Sequence, residues 1–307
     1  MQMCMNPTPS QRVTLEAIAK ENRIEFGEEA CRRIEKYYIN DKPDHRESLY
    51  LPRLNLTDLS PIGYLLRVDS INIEGNRVRD ISPLAKLTNL KQLNLSYNPI
   101  TDIEPLKKLV KLERLTLFND SVLDISPLKH LTTLKYLGLS GKKKNLEVVS
   151  HLITLEDLTI IDTDIENVCQ LNSLTNLSSI FLSRNGVMDI NCLDQLTQLK
   201  TVDIHNPIRN ISVFAKYPEL RSIDISKTQV ESVEALIPLQ HISSLIIDHT
   251  NITDLSPISG RDMGLFSAEG APLRWCSPKT GQEIIDGVSC YEKDGTLKSW
   301  WKRLLRQ

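Results

Sequence analysis

The stretch LNLSYNPITDIEPLKKLVKL, residues 93–112, decides how this chain folds, because nearly the same pattern recurs down most of its length. Leu106 has counterparts at Ile62 and Leu84 before it, and at Leu128, Val149, Leu171, Leu193, Phe214, Leu236 and Ile258 after it. The steps are 22 residues except two of 21, from Leu128 to Val149 and from Leu193 to Phe214. A degenerate last copy puts Phe266-x-Ala268 in the place of Leu93-x-Leu95, and Pro278 in that of Pro105. Units of fixed period stack on their neighbours instead of burying a core alone, so one elongated array accounts for most of the 307 residues.

Each part of the unit has a physical reading. Alternation in Leu93-x-Leu95 sends two aliphatic side chains inward and leaves Asn94 on the opposite face of a short strand. One strand per unit makes a parallel sheet. The amide that follows, at Asn76, Asn98 and Asn185, can turn inward and bond backbone groups orphaned by the bend after the strand. Thr163, Thr228 and Thr250 hold that place elsewhere, where a hydroxyl meets part of the same demand. Asp58, Asp80, Asp102, Asp124, Asp189 and Asp254 precede an Ile-x-Pro-Leu or similar segment, where a carboxylate caps a short helical turn. Calcium is the alternative reading of this acidic ladder, but one carboxylate per unit is unlike the clustered oxygens of a calcium loop. Proline at positions 61, 83, 105, 127 and 257 sets φ for an outer segment of short, often 3₁₀, helix.

The pattern Leu-x-x-Leu-x-Leu-x-x-Asn-x-Ile-x-Asp-Ile-x-Pro-Leu-x-x-Leu resembles the 22-residue leucine-rich repeats of bacterial internalins. It is less close to those of the phosphatase-regulating leucine-rich-repeat proteins of eukaryotes. The resemblance implies an α/β fold: a right-handed leucine-rich-repeat solenoid, or horseshoe, with a concave parallel β-sheet, short 3₁₀ or helical convex segments and a helical N-terminal cap. The expected domains are a cap with a disordered start over residues 1–50, a solenoid of about ten repeats over 51–279, and a C-terminal cap over 280–307. The implied function is a protein–protein interaction module that binds a macromolecular partner on its concave face, as a bacterial effector or adaptor with a role in virulence. The signal peptide, immunoglobulin-like domain and wall anchor typical of internalins are not visible, which points to a protein kept in the cytosol or exported without a cleaved signal. Leucine-rich-repeat ubiquitin ligases carry a large catalytic domain after the repeats. Only about thirty residues follow the last repeat here, so no enzyme is expected.

Composition narrows the classes further. With 40% apolar and 25% charged residues the chain can bury a core. Its formal net charge is -2, with no long basic block before the last few residues, which argues against a nucleic-acid partner. No secretory n- and h-region is visible at Met1–Pro7, and no apolar run is long enough to span a bilayer. The expected site of synthesis and folding is the cytoplasm. The six cysteines (Cys4, Cys31, Cys169, Cys192, Cys276 and Cys290) include no CxxC pair and read as free thiols, with a Cys276–Cys290 bridge the alternative in an oxidising compartment. No cofactor is expected, and the chain is expected to be a monomer.

Open arrays need covered ends. Thr8-Pro9-Ser10-Gln11 reads as a capping box opening a helix with Val13, Leu15, Ala17 and Ile18, and a second helix is expected from Glu28 to Tyr38. At the other end Leu297, Trp300, Trp301, Leu304 and Leu305 share a helical face flanked by Lys298, Lys302, Arg303 and Arg306. A capping helix is the first reading of this segment. Membrane-surface contact through Trp300, Trp301, Lys302 and Arg303 is the second, and a hairpin around Asp294-Gly295 the third.

The strand register exposes the residues between the paired aliphatics, Asn72, Asn94, Thr116, Gly138, Thr159, Phe181, Asp203, Asp224 and Ile246. The next outward row includes Phe118, Ile161, His205 and Asp248. Only 5% of the chain is aromatic, and the repeat asks for no large apolar group in these rows. Tyr97, Arg114, Phe118, Tyr136, Ile161, Phe181 and His205 are therefore the candidate partner-binding residues, since aromatic anchors beside an arginine are favoured at interface centres. The polar group Asp203, His205, Asp224, Asp248 and His249 reads as solvated, with a metal site the alternative. Gly141-Lys142-Lys143-Lys144-Asn145 breaks the pattern and is expected to project as a basic loop.

Overall fold

The computed structural model describes residues 2–35, 47–119, 121–259, 261 and 263–273, which fall in two compact units, Met1–Asp164 and Ile165–Gln307. In the first unit three helices, α1 (Gln2–Met5), α2 (Pro9–Glu21) and α3 (Glu28–Glu35), precede six strands. These are β1 (Glu47–Tyr50), β2 (Val68–Asn72), β3 (Gln92–Asn94), β4 (Arg114–Phe118), β5 (Tyr136–Ser140) and β6 (Asp157–Ile161), paired in chain order and all parallel. The second unit repeats the arrangement with β7 (Ser179–Ser183), β8 (Thr201–His205), β9 (Ser222–Asp224), β10 (Ser244–Ile246) and β11 (Leu265–Ser267). The degenerate copy thus supplies a strand as expected.

Register follows the repeat. Leu93 stands beside Ile71 and Leu115, and Leu137 beside Leu115 and Leu158. The inward aliphatics are sealed from water; Leu93, Leu95, Leu106, Leu109 and Leu112 are each no more than 2% exposed. Outer segments are short 3₁₀ helices such as Ser82–Lys86, Glu104–Lys108 and Ser126–His130. The aspartate ladder caps them. Asp80, Asp124 and Asp254 accept the backbone N–H two residues on at 2.8 Å, as does Asp102 from Glu104.

Between strand and outer segment the chain turns a corner. The second residue after the inner aliphatic pair adopts positive φ at Gly75, Tyr97, Gly141, Asp162, Arg184, Lys227, His249 and Gly270. Corner bending leaves amides and carbonyls that cannot pair along the sheet, and a buried asparagine takes them up. The Asn98 amide donates to the carbonyls of Ile73 (2.9 Å) and Leu95 (3.1 Å), and its oxygen accepts from the Val78 N–H (3.1 Å). Thr228 and Thr250 supply only the donor, to Ile225 at 2.7 Å and Ile247 at 2.8 Å. Two repeats depart from the pattern. Asn119 and Asn206 occupy the corner position itself, outside the positive-φ set, and bond the carbonyls of Asn98 and of Leu182.

The N-terminal cap opens as the sequence predicts, with Thr8 and Gln11 forming both halves of a capping box. Its buried stripe is Thr14, Leu15, Ile18 and Ala19, while Val13 stays exposed at 42%; the i, i+4 spacing from Leu15 and Thr14 puts Val13 on the other side. The Thr14 hydroxyl donates to the Asp58 carbonyl at 2.7 Å, fastening α2 to the first repeat.

At the start of the chain Gln2–Met5 is helical, and Cys4 is joined to Cys31. One expectation is corrected: Cys4, Cys31, Cys169 and Cys192 are not free thiols, since Cys169 is likewise joined to Cys192, with Cα–Cα separations of 5.8 and 5.3 Å that suit a disulfide. The readings made for Cys276, Cys290, Pro278 and the tail with Trp300, Trp301, Lys302 and Arg303 lie outside the described residues, as do Tyr37 and Tyr38. No helix among the described residues is long and apolar enough to cross a membrane.

Candidate functional site

On the solvent side of the first unit the strand pairing lines up Asn72, Asn94, Thr116, Gly138 and Thr159 as one row. Phe118, Ser140 and Ile161 form the adjacent row, and Arg114 stands beside Tyr136. The Arg114 guanidinium lies 4.4 Å from the centre of the Tyr136 ring, a cation–π contact that orders both long side chains. Gly138 explains how the rings fit. A Cβ placed there would sit 3.0 Å from Phe118 Cε1 and 3.1 Å from the Tyr136 hydroxyl, so the Phe118 ring edge and the Tyr136 hydroxyl both lie over the bare backbone of β5. Phe118 and Tyr136 are both half-buried, less exposed than the register alone suggests. Tyr97 is 64% exposed and carries its ring on a left-handed corner, where the repeat elsewhere often uses glycine.

The seven candidate residues fall in two groups. Tyr97, Arg114, Phe118, Tyr136 and half-buried Ile161 belong to the first unit; Phe181 and His205 belong to the second, on the solvent side of β7 and β8. Sequence reasoning missed the part played by Gly138. The signal was a glycine between two aliphatics in a strand, a position that otherwise weakens pairing and marks a close approach.

The basic loop is tied down more than expected. The Lys143 amine donates to the Asn119 carbonyl at 2.9 Å, Lys142 pairs with Asp164 at 2.9 Å, and the Lys144 backbone bridges to Asp124. Lys142 is raised above its ordinary pKa by its hydrogen bond to Asp164 and by the charge of that partner.

In the second unit Asp203 and His205 project from the same face of β8, and Asp224 stands opposite Asp203 on β9. One ligand atom from each lies within 4.8 Å of the others. Burial raises the Asp203 carboxyl above the ordinary carboxylate value, the Asp224 charge adds to that, and the charge of His205 works against it.

Residues 88–130 match the family model for leucine-rich repeats in two copies, and the stacked parallel strands with 3₁₀ returns are the fold of that class. The chain has the leucine-rich-repeat fold. Within the class it is internalin-like: it is similar to the solved structure of an internalin (inlF) from Listeria monocytogenes, with TM-score 0.64 and 29% identity over 71% of this chain and 65% of that one. The chain therefore spans less than two thirds of that internalin. Internalin C2 (inlC2) from the same organism aligns with TM-score 0.51 and 22% identity over 78% of this chain and 93% of that chain. The plant peptide hormone receptor RGFR1, solved in complex with RGF2, aligns with TM-score 0.55 and 15% identity over 77% and 42%. These two likenesses show the fold alone. No curated protein matches by sequence. Proteins of this fold are in general protein-interaction modules, typically without enzymatic activity.

Because the Phe118 ring edge and the Tyr136 hydroxyl occupy the space a side chain would fill, Gly138→Val should displace both Phe118 and Tyr136. The expected result is an unchanged far-UV spectrum, a stability loss of about 1–3 kcal/mol and an altered near-UV signal from the rings. An unaltered near-UV signal in the variant would show that the rings do not pack over Gly138.

Proposed function

We propose that this chain is a protein-binding module that takes hold of its partner on the solvent-facing strand rows of the first unit, with Arg114, Phe118 and Tyr136 as the centre and Tyr97 and Ile161 at the margins. The observation that carries this reading is the Phe118 ring edge and the Tyr136 hydroxyl meeting over Gly138, with the Arg114 guanidinium over the Tyr136 ring. The solenoid core is closed by its own leucines on the inward side, so these groups are not needed to fill it. Held in place before a partner arrives, they lose little side-chain freedom on binding, which is how aromatic and arginine anchors become hot spots. The plant receptor solved with RGF2 is a case of this fold in complex with a ligand.

The role that follows is that of an effector or adaptor of bacterial origin. The two disulfides support its action in an oxidising compartment, reached by export, over permanent residence in the cytosol. Contact with a membrane through Trp300 and Trp301 is a separate reading that rests on sequence alone.

The test is capture from host and bacterial lysates on the immobilised full chain, beside an Arg114→Ala/Phe118→Ala/Tyr136→Ala variant and a control altered on the outer side at Lys129→Ala. Partners dependent on this face should be held by the wild type and the control and weakened by about 30-fold or more in the triple variant. Capture of the same proteins by all three would place recognition elsewhere.

A further inference from the structure

The second unit carries a cluster that the binding reading does not use. Asp203 and His205 are two residues apart on β8, so their side chains leave the same face, and parallel pairing sets Asp224 of β9 directly beside Asp203. The His205 Nε2 atom is 3.0 Å from Asp224 Oδ1 and 3.5 Å from Asp203 Oδ1. Despite those distances, neither His205 Nε2 nor Asp203 Oδ1 has a hydrogen-bond partner, and both atoms are shielded from water. The Asp224 oxygen is close to Nε2 but off the direction in which a ring N–H would point. Asp224 Oδ1 also accepts the Ser226 N–H at 2.9 Å and the Ser226 hydroxyl at 2.6 Å, which fixes the carboxylate's orientation.

We infer that Asp203 Oδ1, His205 Nε2 and Asp224 Oδ1 form a binding site for a divalent transition-metal ion of the zinc class. An ion about 2.0–2.2 Å from each of two ligand atoms, at angles between roughly 90° and 110°, holds those atoms about 3.0–3.5 Å apart. The two measured separations from His205 Nε2 span that interval. A shared ion also accounts for the off-axis approach: the metal lies on the imidazole lone pair, and the second ligand lies to its side. Without such an ion, His205 Nε2 and Asp203 Oδ1 are shielded from water with no hydrogen bond, and only the contacts of the imidazole with the two carboxylates offset that cost. One imidazole with two carboxylate oxygens suits zinc and its neighbours better than calcium or magnesium, which take oxygen ligands alone. Three protein ligands on a solvent-facing sheet leave further coordination positions for water or for a side chain of a bound partner. From sequence this place reads as a solvated polar group, because the sequence shows the strand positions but not how the side chains converge.

The experiment uses the full chain, stripped with a chelator and titrated with Zn²⁺ by calorimetry and with Co²⁺ by visible absorption. One saturable site is expected, with d–d bands from bound Co²⁺ and a rise in Tm with Zn²⁺. His205→Gln and Asp203→Asn should each weaken binding by about 100-fold or more while leaving the metal-free Tm unchanged, and His249→Gln should bind as the wild type does. Asp224→Asn keeps an oxygen for Ser226 and serves as the ligand-loss variant if either of the first two lowers the metal-free Tm. Absence of a saturable site, or one that persists undiminished in His205→Gln and Asp224→Asn, overturns the assignment.

Discussion

Asn76→Leu is expected to destabilise the first unit by about 3–5 kcal/mol, more than any single apolar truncation on its surface. The Asn76 side chain is 5% exposed and meets four backbone groups closely, with the Glu74 carbonyl a fifth at 3.5 Å. Its oxygen accepts from Leu54 N–H (2.9 Å) and Leu56 N–H (3.0 Å), and its amide donates to the carbonyls of Leu51 and Ile73, both at 2.8 Å. Leucine has a similar volume, so little cavity forms and the loss isolates the polar contribution. Each buried group left unpaired costs about 1–3 kcal/mol, partly recovered where water can enter. Asn76→Thr should fall between, because a hydroxyl in this place makes only the donor bond seen at Thr228 and Thr250. Denaturant unfolding of the three proteins, with hydrogen exchange at Leu54 and Leu56, checks the order. A loss under about 1 kcal/mol for Asn76→Leu would refute the idea that the asparagine sustains the corner.

That asparagine also shows what a sequence of this kind makes legible. The period, the inward leucines, the aspartate caps and the register of every candidate residue follow from one 20-residue stretch, because each repeat solves the same local problem with neighbours at a known offset. The departures are those where a local shift changes the solution. Asn119 and Asn206 sit one place early, and only the backbone angles of the corner reveal that they serve the same purpose. The register puts Phe118 and Tyr136 on the solvent side, but their meeting over Gly138 depends on rotamers that no spacing rule specifies. The convergence of Asp203, His205 and Asp224 is of the same kind. The division of the seven candidate residues between two units likewise has no signal in a repeat that runs unbroken through the boundary at Asp164.

The cysteine pairing is hidden for a different reason. In a solenoid, residues about one period apart are neighbours in space, so the absence of a close CxxC spacing says nothing about pairing. Cys169 and Cys192 are separated by 23 positions, one repeat plus one residue, which brings their Cα atoms to 5.3 Å. Cys4 and Cys31, 27 apart, meet because α1 returns to α3 in the cap, a tertiary contact with no periodic signature. With four of six cysteines so joined, titration in denaturant without reductant should find no more than two thiols per chain.

Loss of the Cys169–Cys192 bridge is the second large effect expected. It closes a loop of 23 residues, for which the chain-entropy argument gives about 3 kcal/mol of stabilisation through the unfolded state. The Cys169→Ser/Cys192→Ser protein should therefore unfold several degrees below the wild type, and reductant should lower the Tm of the wild type by more than it lowers that of the variant. Cys169 is exposed and Cys192 half-buried, so reductant can reach the bond without prior unfolding. The bridge ties two successive repeats, and stacking in a solenoid is a nearest-neighbour interaction, so the opened region should be local: exchange should rise first between the 3₁₀ segment Cys169–Ser173 and β8. Peptide mapping that finds all of Cys169 and Cys192 reduced in protein recovered from an oxidising compartment, or a Tm indifferent to reductant, would remove the support the bridge gives to export. A large drop confined to the oxidised wild type would instead tie the fold's stability to the compartment in which the binding face has to work.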